Sequence, residues 1–256
     1  ILKYFIQKAL GKTMFFRPEV MICVPAGCTQ VERRAVIDAT LSAGAGKAWL
    51  IEEPLAAAIG AGIPIEMPSG NMMVDIGGGA TEAAVISLGG VVVHKAARVA
   101  GNKIDEAIAG WIRRKHNLIV GEQTAEEIKL KIGSAQPVAK EETREVKGRD
   151  SVSGLPKSGV VSSTEVTEAI RPVLGLILGA IKAVLEEIPP ELASDIIDKG
   201  IILSGGTSQL RNFDKYITKE IGVPAHVAEE PMLCVIKGIG KTLENFALYQ
   251  RTITQK

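Results

Sequence analysis

An aspartate followed by a run of glycines, Asp75 then Gly77, Gly78 and Gly79, is the stretch of this sequence best suited to chemistry. It lies in MMVDIGGGATEAAVIS at 72–87. Residues 72–76 read as an apolar strand and 82–87 as a second one. Glycines between two strands make a tight turn that can present bare backbone N–H groups. With no Cβ in the way, a phosphate can approach that backbone closely. An acid just before the turn is placed to hold a phosphate-bound Mg2+ or its water shell. The same residues also suit an ordinary glycine-rich hairpin, and a short glycine run alone does not choose between the two.

The flanking residues exclude the two commonest phosphate loops. A dinucleotide fingerprint needs a strand, glycines and then a helix. Here a β-rich run follows, with Leu88-Gly89-Gly90 as its turn and a third strand from 91 to about 99. A P-loop needs a glycine five residues before Gly-Lys and a Ser or Thr after it. Around Gly46-Lys47 those places hold Leu41 and Ala48.

The chain has 256 residues, enough for one or two domains with a sizeable core. Its net charge of +1, with both signs interspersed, argues against a nucleic-acid partner. Cys23, Cys28 and Cys234 lack metal-ligand spacing, and their odd number fits a reducing compartment. They read as buried thiols. No apolar run is long enough to span a bilayer, and no signal peptide is recognisable. The first residue is Ile1, and the chain is expected to begin inside a longer protein.

The elements that must position the glycine turn follow from hydrophobic periodicity. Residues 1–12 read as an amphipathic helix with Leu2, Phe5, Ile6, Ala9 and Leu10 on one face, stopped by Gly11. Phe15 and Phe16 come next, either as core anchors or as an exposed apolar tip, flanked by Lys12 and Arg17, that dips into a membrane surface. A buried strand at 20–24 precedes a helix at 30–43. Thr29 and Glu32 suit a capping box, and Val31, Ala35, Val36 and Ala39 form its apolar face. A strand at 48–51 runs into Glu52-Glu53-Pro54 and an alanine-rich helix to about 60. Residues 62–71 form a Pro/Gly-rich crossover. Helices are expected at 101–116 and 124–132, and one long helix or two at 164–188, closed by Pro189-Pro190, with a polar, turn-rich segment at 133–162. A strand at 200–204 enters Gly205-Gly206-Thr207, followed by a helix at 208–221, a strand at 225–228, a last helix to about 247 and a polar tail.

The order at 20–61 matches that at 200–247: strand, turn, helix, strand, Glu-Glu-Pro, helix. IEEPLAA at 51–57 parallels AEEPMLC at 228–234. Two such units facing each other would enclose a cleft suited to a ligand.

CVPAGCTQVERRAV at 23–36, LIEEPLAAAIGAGIP at 50–64, VDIGGGATEAAVISLGGVV at 74–92 and PPELASDI at 189–196 together resemble the MreB family of bacterial actin homologues, over essentially the whole chain. The resemblance implies an α/β, actin-like ATPase fold: two RNase H-like domains around a nucleotide cleft, the first domain incomplete. It implies residues 1–65 as the remainder of that first domain and 66–230 as the second, with a small subdomain inserted at about 133–195. Residues 231–256 would return to the first. The family's first phosphate loop has no counterpart in this sequence.

By the same resemblance, Gly77, Gly78, Gly79, Ala80 and Thr81 form the second phosphate loop for ATP, and Asp75 binds the water shell of Mg2+. Glu53 orients the attacking water, and Glu52 is structural. Glu126 and Lys129 contact the adenosine end, and Gly205, Gly206 and Thr207 form the third nucleotide loop. Phe15 and Phe16 fall on the membrane-binding loop. The implied function is an ATP-dependent, rod-shape-determining cytoskeletal filament at the inner face of the cell membrane. Its implied partners are other copies of itself and transmembrane proteins of the elongation machinery that builds the cell wall. Two residues depart from the pattern. Ala80 stands where the family usually has Thr, whose hydroxyl helps position the water, and Thr207 replaces a usual glycine, adding bulk near the base. Thr81 is adjacent to Ala80, but strand alternation points it to the other face. Ala80 and the missing first phosphate loop keep open a nucleotide-binding scaffold with little or no hydrolysis.

Overall fold

A glycine at Gly11, with φ +68°, ends the first helix, α1 (Leu2–Leu10). The computed structural model describes residues 1–11, 17–250 and 252–255, so Phe15 and Phe16 lie outside the described residues. Only Ile6 is buried in α1, with Leu2 and Leu10 half-buried on the same stripe; Phe5 and Ala9, expected on that face, are exposed.

The first sheet pairs β1 (Glu19–Val24) in parallel with β2 (Lys47–Glu52), joined by α2 (Gln30–Ser42). Thr29 and Glu32 form the expected capping box. The expected apolar face of α2 is corrected: Val31 is 79% exposed, and the helix buries Ile37 and Thr40 instead. Arg33 explains the rotation. Its guanidinium meets Glu52 at 2.6 Å and donates to the carbonyls of Cys28 and Ala26, which draws that side of the helix inward.

The second sheet has the order β10-β9-β3-β4-β5. β3 (Asn71–Ile76), β4 (Thr81–Ser87) and β5 (Gly90–Ala97) form an antiparallel meander, while β9 (Ile201–Ser204) runs parallel to β3 and to β10 (Ala225–Val227). Nearly every residue of β3 and β4 is buried, because both faces of the sheet are covered. Met72, Val74, Ile76, Ala83 and Val85 pack with α4 (Gly101–His116) and α6 (Ser163–Leu185). Met73 and Ile86, one residue out of phase, pack with α3 (Glu53–Gly60) and α9 (Cys234–Glu244).

The third sheet, β6 (Leu118–Ile119), β7 (Thr143–Asp150) and β8 (Pro156–Ser162), supports α5 (Glu122–Ile132) and realises the turn-rich segment as a hairpin. Pro190 does not close a helix but opens α7 (Pro190–Lys199), since proline is tolerated in a first turn. The single helix expected at 208–221 is divided into a 3-10 turn, Gly206–Gln209, and α8 (Phe213–Ile221). The break arises because Arg211 bridges Ser134 and the Asn212 amide donates to the Ser134 hydroxyl. After α10 (Phe246–Tyr249), the expected polar tail forms β11 (Ile253–Gln255), antiparallel to β2. Of the three cysteines only Cys234 is buried; Cys23 and Cys28 are half-buried free thiols.

Both repeat units take the anticipated order, β1-α2-β2-α3 and β9-α8-β10-α9. Their last helices cross at two glycines. A Cβ on Gly60 would lie 1.8 Å from the Cys234 carbonyl oxygen, and one on Gly238 would lie 1.8 Å from that of Ala56. The helix backbones are therefore in direct contact, which only glycine allows.

Candidate functional site

Asp75 and Glu82 stand directly opposite each other in the β3–β4 ladder, so both leave the same face of the sheet. That face carries Met73 and Ile86 and packs on α3, whose first residue is Glu53. Carboxylates from the sheet and from the start of α3 therefore converge. Burial raises the pKa of Glu53, and the charge of Asp75 raises it further. Burial also raises Asp75, opposed by the Ser204 hydroxyl, which donates to Asp75 Oδ1 at 2.6 Å. Glu82 is pushed up to about 7, first by burial and then by the charge of Glu53, while the Ala26 N–H, 3.4 Å from Oε2, opposes the shift. Glu52 is held apart in its ion pair with Arg33.

Glu82 was not singled out from the sequence. The signal was available: across a four-residue turn it is the ladder partner of Asp75, and hairpin register puts partners on one face. Because an ordinary glutamate titrates near 4.5, folded protein keeps the Glu82 proton where the unfolded chain has lost it. The associated stability is complete below about pH 4.5 and is lost as pH rises through about 7. Glu82→Gln is therefore expected to raise stability at pH 8 by up to about 3 kcal/mol while leaving it nearly unchanged at pH 4. Urea midpoints at the two pH values check this; an equal change at both would reject it.

The glycine turn is fastened from behind. The Gly77 N–H donates to the Ala80 carbonyl at 3.0 Å and closes the turn. The Gly77 carbonyl accepts from the Gly101 N–H at 3.2 Å and from Thr207 Oγ1 at 2.7 Å, and the Gly78 carbonyl accepts from the Asn102 N–H at 2.8 Å. In a trans peptide the N–H points opposite to the C=O. The N–H groups of Gly78 and Gly79 consequently face away from α4, on exposed residues, and neither makes a hydrogen bond among the described residues. Two parallel unpaired donors of this kind suit an anionic oxygen.

Ala80 is exposed beside the turn. Thr81 is fully buried, and its hydroxyl donates to the Val99 carbonyl at 2.7 Å, on the α4 side of the sheet. Gly205, with φ +83°, lies so near β3 that a Cβ would come 2.3 Å from the Ile76 carbonyl oxygen, and Gly206 follows it into the 3-10 turn. Thr207 does not face outward; it is buried against the glycine turn. On α5, Glu126 is exposed, while Lys129 Nζ pairs with Asp105 Oδ2 at 2.9 Å. Asp105 Oδ1 is buried without a partner among the described residues. Burial raises the Asp105 pKa against the pull of Lys129.

A family profile described as MreB/Mbl protein matches residues 1–251. The chain belongs to the MreB/Mbl family. It is 46% identical over 245 residues to the cell shape-determining protein Mbl of Bacillus cereus, covering 96% of this chain and 74% of that protein. It is 48% identical over 246 residues to the cell shape-determining protein MreB of Escherichia coli K12, covering 95% and 71%. Its structure superposes on that of MreB5 of Spiroplasma citri bound to ADP with a TM-score of 0.91 at 37% identity, covering 96% of this chain and 74% of the other. The MreB/Mbl chain therefore has the actin-like fold. No helix among the described residues is long and apolar enough to cross a membrane.

Proposed function

We propose that this MreB/Mbl chain is a nucleotide-dependent cytoskeletal protein whose filaments determine cell shape. The observation that carries the reading is the pair of unpaired N–H groups at Gly78 and Gly79, held beside a convergence of buried carboxylates. The nucleotide bound to MreB5, and the names of the Mbl and MreB relatives, support it.

In this reading Gly77–Gly79 bind phosphate oxygens of ATP, and Gly205, Gly206, Glu126 and Lys129 contact the nucleoside. Asp75 would hold Mg2+ through its water shell. The donor set fits that ion: Asp75 is a hard oxygen donor on the strand that enters the turn, and Mg2+ keeps most of its waters where one carboxylate and phosphates hold it. When bound, Mg2+ would neutralise phosphate charge. Glu53, on the same cleft face, orients a water and accepts its proton, for which a pKa raised by burial is suited. We further divide the chain at 1–65, 66–230 and 231–256, with a small subdomain at about 133–195. The pairing of β11 with β2 and the crossing of α9 on α3 favour this division. The loop with Phe15 and Phe16 would hold filaments to the inner membrane face, many weak contacts adding by avidity, where transmembrane elongation proteins would meet them.

A second reading, a nucleotide-bound scaffold with little hydrolysis, is favoured by one observation: Ala80 has no hydroxyl, and that of Thr81 is committed to Val99. Sedimentation with and without ATP tests the filament reading. The protein is expected to pellet with ATP at high concentration; remaining monomeric throughout would sink both readings.

A further inference from the structure

We propose that the Thr207 hydroxyl is a positioning group for the glycine turn, fixing the Gly77–Gly78 peptide so that the Gly78 N–H faces a bound phosphate. The inference rests on reading the turn as the phosphate site, and it gives Thr207 a role at the phosphate end rather than at the base.

A peptide between two glycines is among the easiest to rotate, since neither neighbour has a Cβ to resist. Its orientation must come from what holds its oxygen. The shorter of the two bonds to the Gly77 carbonyl is that from Thr207, at 2.7 Å. The hydroxyl is itself confined. A Cβ on Gly101 would come within 2.7 Å of Oγ1, so the side chain occupies a slot between the turn and the start of α4. Its backbone belongs to the 3-10 turn Gly206–Gln209, tied by the Ser208 hydroxyl to the Gly205 carbonyl at 2.7 Å. The preceding residue, Gly205, rests on the Ile76 backbone. The same segment carries Ser204, which holds Asp75. One short stretch, 204–208, thus presents two hydroxyls to the strand and turn of 75–77, one on the acid and one on the carbonyl behind the phosphate donors.

Affinities for ADP and for adenosine, measured on the parent, Thr207→Val and Thr207→Ser, test the proposal. Valine keeps the shape and removes the donor. It is expected to weaken ADP about five- to tenfold, the effect of one net hydrogen bond, while leaving adenosine within about twofold. Serine is expected to restore ADP binding. Equal weakening of both ligands would mean a base contact, and unchanged ADP binding, or serine as poor as valine, would mean no positioning role; each overturns the proposal. A parent with no preference for ADP over adenosine would remove the phosphate reading itself, and this inference with it. If circular dichroism shows Thr207→Val unfolded, Thr207→Ala decides, because it removes the hydroxyl and leaves the Gly101 N–H donor in place. The same selective loss of ADP supports the proposal, and unselective or absent loss overturns it.

Discussion

Ala80→Thr is expected to raise ATP-dependent phosphate release by about tenfold to a thousandfold, the range associated with a single well-placed transition-state hydrogen bond. In the proposed site Glu53 holds the water alone. Ala80 offers no second group, and Thr81 cannot supply one, since its side chain is fully buried and its hydroxyl donates to the Val99 carbonyl on the opposite face of the sheet. Position 80 lies in the turn and is exposed, so a threonine there meets little steric resistance. The measurement is phosphate release at concentrations where sedimentation shows filaments, with Glu53→Gln in both backgrounds as the control. A silent parent and an active threonine variant would make this chain a scaffold whose switch is one hydroxyl short. Fast release by the parent, unchanged by threonine, would mean that Glu53 suffices and Ala80 is no lesion. Activity surviving Glu53→Gln would remove Glu53 from the mechanism.

Gly238→Ala and Gly60→Ala are each expected to destabilise the protein by at least about 3 kcal/mol, the upper end for overpacking. The added methyl would lie 1.8 Å from a carbonyl oxygen of the facing helix, and both atoms are fixed to backbone. No rotamer relieves the contact, so α3 and α9 must move apart along their whole crossing, taking with them the packing of Leu55, Ile59 and Cys234 between the two sheets. The sign identifies the cause. In a helix interior Gly→Ala ordinarily stabilises by about 0.5–1 kcal/mol, and Gly175→Ala and Gly179→Ala on α6, with open space around each Cβ, are expected to do so. Chemical denaturation of the four variants separates helix propensity from contact. Stabilisation by all four would show that the α3–α9 crossing yields easily and is not held by its backbone contact.

Neighbours along the chain dictate the local parts of this protein, and those are legible in its sequence. A strand, an acid, three glycines and a strand made the turn, because glycine and alternation act over a few residues. Thr29 with Glu32 made the capping box for the same reason. The repeat of strand, helix, strand and Glu-Glu-Pro reads directly from order, and family motifs carried the fold. Features that depend on partners far apart in the chain emerge only on folding. Which face of α2 is buried was settled by Arg33 reaching Glu52, not by periodicity, which allows two neighbouring faces. β11 exists because β2 offers an unpaired edge, a fact absent from residues 253–255. The Thr207 hydroxyl caps the Gly77 carbonyl 130 residues away, a contact that no short window of sequence shows. Glu82 acquires its raised pKa only when packing buries it and α3 and β3 bring Glu53 and Asp75 beside it. Local geometry is encoded in short windows, whereas the direction of a side chain and the proton it holds depend on burial and charge, which exist only after distant segments have packed.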